Sequence, residues 1–527
     1  RSAGGYTVVR AKDAAHCEEA LITSYTALST SDSTELQSAV TQTDLIALAV
    51  FPQAFEAVAA QLVPLLIQRQ KERPTAPLDV LLCTNLLHAA QKFRTAFEKA
   101  CPPASLTSLN ACTGIAETLV IRIVPSAPHD LLKKDALGVF TNGYPTLHVD
   151  KSALRTNRLN DLPGVRLVEN MHAEEMRKMY TYNMVQAVLA YHGAPRQHSF
   201  IVDCIADPGV NGEAQAVLAE VSLALQAQYG FSNSAMEEWN RAVLEQTNNP
   251  ALGDTVTRMA ADPLRKLRRD DRLVGPALLA IQHNIEPKHL IRGIAAALRY
   301  DAKDDPSANI VQERIVAVGL RSAVQELCGL TEMHASLLDA IVLAYHRLPL
   351  ELEWEKKAKR AFDLGFENEK IYHGCGQCVY DAVARLLDAF DPAVFNAATP
   401  LSGGLGLYGK VTCSALTGAA LVIGSLYPRR CENFSGDRDN KYQAFNLTQQ
   451  LNEKFLQRYG SLICHDIHTA RMGRPFDLRN KVEREAFELA GAHDNECTET
   501  VALAAQWAIE VIGAVKIEEE LSKIQLI

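Results

Sequence analysis

The sequence of 527 residues has no basic excess. Lys and Arg number 53 against 62 Asp and Glu, a formal net charge of −9. A nucleic-acid binder shows the opposite balance, so nucleic acid is not an expected partner. The local cluster "LRKLRRDDRL" (264–273) is half cancelled by its own acids. No cationic-then-apolar leader opens the chain, and a cytoplasmic location is expected. The longest uncharged run of the last third, "VTCSALTGAALVIGSLY" (411–427), carries Thr, Cys and Ser. It falls short of the ~20 apolar residues that a spanning helix needs. It reads as a buried helix, and no membrane partner is expected. Twelve cysteines are too sparse for a disulfide scaffold. There is no internal repeat and no low-complexity tract. An initiator Met is also lacking: the chain opens at "RSAGGYTVVR", which suggests a missing N-terminal segment.

What is present divides the chain in three. The length alone predicts about three domains of ~150–200 residues. In the first part, short apolar runs alternate with helical periodicity. "GYTVVRA" (5–11), "DLIALAV" (44–50), "LDVLLCTN" (78–85) and "TLVIRIVPSA" (118–127) read as strands. "AFEAVAAQLVPLLIQRQKER" (54–73), interrupted by Pro64, and "AAQKFRTAFEKAC" (89–101) read as helices. Continuous apolar strands alternating with helices predict a parallel, Rossmann-type sheet. From about 166 to 350 the pattern is helical, as in "AVLAEVSLALQAQYG" with its Gly230 stop and "LIRGIAAALRYD" (290–301). The charged "ELEWEKKAKRAFD" (351–363) leads into a third, mostly helical and cysteine-rich part. The expected fold is α/β followed by all-α. Its domains are an incomplete Rossmann-type domain (1–155), a helical substrate domain (156–350) and a helical Cys-rich domain (351–527).

"EEMRKMYTYNMVQAVLAYHG" (174–193) has the length and apolar content of a core helix, yet it contains Lys178, Asn183 and Gln186. At 100° per residue these three project within an arc of about 140°. Their bland reading is snorkelling to water. The functional reading begins with Asn85, at the end of "LDVLLCTN". Ligands of open α/β sheets bind outside the carboxyl ends of the strands. A lysine and two amides around one carbonyl make a base and an oxyanion-type pocket. Desolvation would bring the lysine pKa down toward neutrality.

The pieces "LLCTN", "RIVP" (122–125), "RKMYTYNMVQAVLAYHG", "PLRKL" with "DRL" (263–273) and "LIRGIAAALRYD" with "DDP" (290–306) resemble the polyol-specific long-chain dehydrogenases. The resemblance spans nearly the whole first two thirds. It implies an oxidoreductase that uses NAD or NADP to interconvert a polyol, or polyol phosphate, with a ketose or its phosphate. Lys178 would be the general base, and Asn183 and Asn85 would hold the substrate oxygen. Pro52 and Asn85 would lie at the cofactor. Gln186 stands where the family has His, Thr84 and Ile121 where it has acids, and Phe51 where it has Gly. The family's GxGxxG fingerprint, which cradles the pyrophosphate, is absent. Arg265, Lys266 and Arg272 are candidates for a phosphate at the substrate mouth, or for a salt-bridge network. The departures leave a second reading open: a degenerate, non-catalytic scaffold that carries a cysteine-based sensing or metal module.

The last third opens with "YHGCGQCVYDAVARLLDAF" (372–390), which has apolar residues at i, i+3, i+4 and i+7 spacing. Cys375 and Cys378 fall at the helix N-terminus, where the dipole favours a thiolate. A C-x-x-C there suits redox exchange or metal binding. With "GGLGLYGKVTCSALTGAALVIGSLY" (Cys413), "GSLICHDI" (Cys464) and "NECTET" (Cys497), the segment 372–500 resembles the C-GCAxxG-C-C family of putative redox-active proteins. His465 and His468 stand ready as further ligands. Three fates remain open for these cysteines: dithiol–disulfide exchange, a metal ion or iron–sulfur cluster, and inert burial.

Overall fold

Strand β4 (Leu78–Leu82) is buried at every position and organises the first unit. Its alternate residues face opposite ways. Leu78, Val80 and Leu82 join a core built with Phe55, Leu66, Phe93 and Phe97. Leu81 joins a second core with Ala116, Val149 and Leu159. Burial on both faces explains why the strand reads as a continuous apolar run. The protein is described by a computed structural model covering residues 4–11 and 16–524.

β4 lies between β3 (Leu45–Leu48) and β5 (Thr113–Leu119), both parallel to it, in registers that pair Leu45 with Asp79 and Leu78 with Thr113. β5 then pairs antiparallel with β7 (Leu147–Asp150), and β7 pairs parallel with β8 (Val165–Val168). This mostly parallel sheet has the order β3-β4-β5-β7-β8. The helices Phe55–Glu72 and Ala89–Ala100 cover it.

Two sequence expectations are corrected here. "GYTVVRA" is a strand, β1 (Tyr6–Ala11), but it belongs to a separate three-stranded sheet. There it pairs antiparallel with β2 (Cys17–Ile22) and parallel with β6 (Val139–Thr141). The strand expected at 118–127 lies instead at 113–119. β4 ends at Leu82, opposite Glu117, and β7 takes up only Thr118 and Leu119. "VIRIV" therefore has no neighbouring ladder despite its alternation.

Asp79 points out of β4 and is fully buried. Its carboxylate accepts from Arg155 N (2.6 Å), Thr156 N (3.0 Å) and the Thr156 hydroxyl (2.6 Å), and so ties the strand to the chain after β7. A Cβ on Gly114 would sit 2.2 Å from an Asp79 oxygen, so β5 needs glycine opposite.

Beyond β8 the first unit is helical. Helix Met184–Gly193 is its axis, packed by Pro208–Tyr229, Lys288–Leu298 and Val256–Ala260. The chain divides into two units, Arg1–Ile341 and Val342–Ile527. The charged 351–363 stretch is the interior of a helix of 38 residues, Ala335–Tyr372.

The second unit is an all-helical body. Its core comes from helices Cys375–Leu386, Ser414–Leu426, Arg438–Tyr459 and Cys497–Leu521. The run 411–427 is indeed a buried helix. Gly418 meets Gly376 so closely that a Cβ would fall 2.4 Å from the Gly376 carbonyl oxygen. The segment Ala492–Leu521 is long and apolar enough to cross a membrane, but 61% of its apolar window is buried within the fold. A core helix has the same composition.

Asp79→Ala is expected to cost about 1–3 kcal/mol for each backbone amide left unpaired. Urea unfolding followed by intrinsic fluorescence should show the lower midpoint.

Candidate functional site

Lys178 ends helix Met171–Lys178, which Asn170 caps by accepting from Ala173 N at 3.0 Å. The next turn, Met179–Asn183, is a π-helix, and an α-helix resumes at Met184. Within the wide turn, Thr181 Oγ1 donates to the Arg177 carbonyl (2.6 Å) and accepts from Trp239 Nε1 (2.8 Å). The Arg177 guanidinium lies 3.9 Å from the Trp239 ring centroid and pairs with buried Glu174.

The π-turn alters the arc expected for an unbroken α-helix. It closes with i→i+5 bonds, so residues five apart, such as Lys178 and Asn183, come nearer to one face. From Ala173 to Gly193 every residue is buried except Asn183 and Gln186, which are half-buried. Among the described residues, neither of their amides has a side-chain hydrogen bond. Both remain available to a ligand.

Lys178 is 8% exposed, and its Nζ donates to Asn85 Oδ1 at 2.6 Å. Asn85 stands just past the carboxyl end of β4. Burial, with the Arg272 guanidinium adding to it, pushes Lys178 down to about 8, while Glu175 opposes the shift. Glu175, one turn earlier, is pushed up to about 7 by burial and then by Glu117. Burial also raises Glu117, although its carboxylate accepts from Ala89 N (2.9 Å) and Ala90 N (2.8 Å) at a helix start. Sequence reasoning missed both acids. Their signal was a glutamate inside the apolar strand "TGIAETL" and another inside a buried helix. His88, at φ +57°, stacks on His172 with ring centroids 5.8 Å apart. One ligand atom from each of His88, His172 and Glu175 falls within 4.8 Å of the others.

The basic candidates are largely committed to partners. Arg265 pairs with Asp262 (2.7 Å), and Arg272 with Asp271 (2.7 Å). Lys266 is buried and donates to the Met259 carbonyl. Desolvation, with Arg272 next, pushes it down to about 7. Pro52 opens a short 3-10 turn directly after β3, beside Phe51, which is 83% exposed.

In the second unit, Cys375, Cys413, Cys464 and Cys497 line a cavity of about 410 Å³ together with Glu369, His373, His468, Glu488 and His493. The glycine-rich 401–409 loop forms part of the wall. A Cβ on Gly409 (φ +78°) would run into the His465 ring. Cys378 is set apart. It packs inward and its thiol donates to the His373 carbonyl (3.4 Å). His465 also turns away, bonding the Phe476 carbonyl at 2.9 Å.

The expectation that the helix dipole would favour thiolates is overturned. Burial and the neighbouring Glu369 push Cys375 and Cys378 up. Burial likewise raises Cys464 and Cys497 and pushes Cys413 up to about 11. Desolvation of a thiolate outweighs the first-turn dipole here.

The comparisons with known proteins follow this division. Residues 2–161 match the model of the mannitol dehydrogenase Rossmann domain, and 170–340 that of the mannitol dehydrogenase C-terminal domain. Residues 373–511 match the putative redox-active protein (C_GCAxxG_C_C) model. Among solved structures, a D-sorbitol dehydrogenase in substrate-free form is similar with TM-score 0.55 and 17% identity, over 64% of this chain and 81% of that one. The Pseudomonas fluorescens mannitol 2-dehydrogenase, solved as a ternary complex with NAD and D-mannitol, gives TM-score 0.50 and 16% identity over 66% and 80%. At these identities the likeness establishes the fold.

Two outcomes follow from the titrating groups. Glu175 keeps its proton in the folded state up to about 7, against an ordinary glutamate value of 4.5. Its contribution to stability is therefore complete below about 4.5 and is lost as pH rises toward 7. Glu175→Gln should remove that decline from urea midpoints measured between pH 4.5 and 7. In the second unit, iodoacetamide at pH 8 should alkylate exposed Cys17 and Cys431 well before the four cavity cysteines. Peptide mass spectrometry reads the order.

Proposed function

From a chain whose first two thirds are the Rossmann and C-terminal domains of the mannitol dehydrogenase family, we propose an NAD(P)-dependent oxidoreductase that interconverts a polyol, or polyol phosphate, with the corresponding ketose. The observation that carries this reading is the 2.6 Å bond between Lys178 Nζ and Asn85 Oδ1. It joins the buried helix to the carboxyl end of the sheet, where such folds bind ligands. A lysine brought down to about 8 can take a proton near neutrality.

The cofactor fits this face in part. The uncovered Phe51 ring, Pro52 and Asn85 stand at the carboxyl ends of β3 and β4 and would hold its nicotinamide end. Among the described residues there is no glycine-rich strand-to-helix turn to cradle a pyrophosphate. NAD or NADP, when bound, supplies the hydride acceptor.

This chain's own residues do the rest. Neutral Lys178 accepts the hydroxyl proton during oxidation and returns it during reduction. Asn183 and Asn85 hold the oxygen as it changes between hydroxyl and carbonyl. Gln186 donates to or accepts from a neighbouring hydroxyl, and it cannot take over the proton. Glu175 keeps Lys178 from falling further. Of the three basic candidates, Arg272 bears on Lys178 directly, and it is the cation we assign to a substrate phosphate. Arg265 and Lys266 belong to the network behind it. The competing reading, a scaffold without turnover, is favoured by Gln186 and Thr84 in place of a histidine and an acid.

Calorimetric titration with NADH and NADPH, followed by assays with mannitol, mannitol 1-phosphate and fructose 6-phosphate, separates the two. Lys178→Met should keep cofactor binding and lose about 10²–10⁴-fold in turnover, the range of a general base. Oxidation should rise with pH to a plateau above about 8. Glu175→Gln should move that limb to lower pH, because the lost carboxylate had favoured the ammonium. A folded protein that binds neither cofactor would leave the scaffold reading.

A further inference from the structure

The cysteine-lined cavity holds groups that the dehydrogenase reading does not use. His373, Glu488 and His493 each offer one ligand atom within 4.8 Å of the others, and all three line the cavity. Each comes from a different piece of local structure. His373 sits in the turn after the helix of 38 residues, in left-handed backbone at φ +58°. Glu488 lies in the last turn of helix Lys481–Leu489, and His493 lies in a π-helical turn, Ala492–Glu496. The rings of His373 and His493 approach to 3.8 Å between centroids, and His493 Nδ1 lies 2.8 Å from Glu488.

An ordinary half-exposed ion pair would explain His493 with Glu488 and nothing more. It leaves a second observation without cause. Glu369 is 1% exposed and lines the same cavity; its Oε2 has no partner at hydrogen-bond geometry, with only the weakly donating Cys375 and Cys378 thiols beside the carboxylate. Its Oε1 lies 3.7 Å from His493 Nε2. His468, 3% exposed on the same wall, has an unpartnered Nδ1. Buried polar atoms left unpaired are costly. Two imidazoles and a carboxylate converging on one point, with a buried carboxylate behind them, make a donor set for a divalent transition metal.

We propose that the C-terminal unit binds one divalent ion of the zinc class through His373, His493 and Glu488, with Glu369 beside the other ring nitrogen of His493. Three protein ligands leave a coordination position open toward the cavity. Cys375 and Cys497 stand on the cavity side as thiols near the ion rather than as its cage. This donor set differs from the all-thiolate set of an iron–sulfur cluster. The inference is independent of the dehydrogenase chemistry of the first unit.

Cobalt titration of the full-length, reduced, chelator-treated protein tests it. One equivalent of Co²⁺ should give visible ligand-field absorption, without an intense sulfur-to-cobalt band in the near ultraviolet, and Zn²⁺ should abolish it. His373→Ala and Glu488→Gln should each lose that signal while keeping the parent far-ultraviolet circular dichroism. His373 is exposed, so its variant guards against misfolding of a His493 variant. The His88→Ala/His172→Ala double variant should bind as the parent does, because that grouping is separate. Absorption that survives His373→Ala and vanishes in Cys375→Ser/Cys497→Ser would overturn the assignment in favour of a cysteine cage. Loss in the His88/His172 variant, or no binding by the folded parent, would overturn it as well.

Discussion

An ammonium ion taken out of water is the constraint around which the first unit is arranged. Lys178 gives up most of its hydration for a single amide oxygen on Asn85, from a segment 93 residues earlier in the chain. That exchange is unfavourable for a charge and nearly neutral for an amine. Everything near it bears on which form prevails. Arg272 pushes toward the amine, and Glu175 holds back toward the ammonium. Burial, and then Glu117, keeps Glu175 from ionising easily. The sheet's part is to present Asn85 just past the carboxyl end of β4 and Glu117 inside β5. The helix's part is to bring Lys178 and Glu175 to meet them.

Much of this was legible in the sequence, and what was missed has identifiable reasons. Strand β4 and helices 55–72 and 89–100 were readable because burial on two faces, or on one stripe, writes a period into the residues. Lys178 was conspicuous because a charge interrupts an apolar run, and its partner Asn85 because strand ends carry ligands. The shift of β5 was not readable: "VIRIV" alternates as well as "TGIAETL" does, and only the length of β4 decides between them. Glu117 and Glu175 escaped because a buried acid is judged by its neighbours, which lie far away in sequence. The π-turn escaped because one extra residue in a turn leaves no mark on an apolar run that is buried on every side.

The second unit shows the opposite balance. The four cysteines in their glycine-rich setting were visible as a pattern, and the structure gathers them around one cavity. The thiolate preference expected at the helix start was misjudged because the dipole there is a local property and desolvation is not. Glu369 sits too far before the motif to have been counted with it, yet it is the acid that presses on Cys375 and Cys378. Cys378, half of the C-x-x-C signature, stands behind the lining of the cavity that the other four share, its thiol bonded to the His373 carbonyl.

The wide turn at Met179–Asn183 has one more consequence. It acts as a spare link in a chain that otherwise advances about 100° per residue. A turn closed at five residues instead of four absorbs one extra residue without changing the faces that the following side chains present. Removing one residue there would restore uninterrupted α-helix and leave 184–193 turned as it is now. A deletion inside 184–193 has no such slack, and it would rotate an almost wholly enclosed segment by about 100°. The helix is thus tolerant of a shorter chain at its wide turn and intolerant of one a turn later.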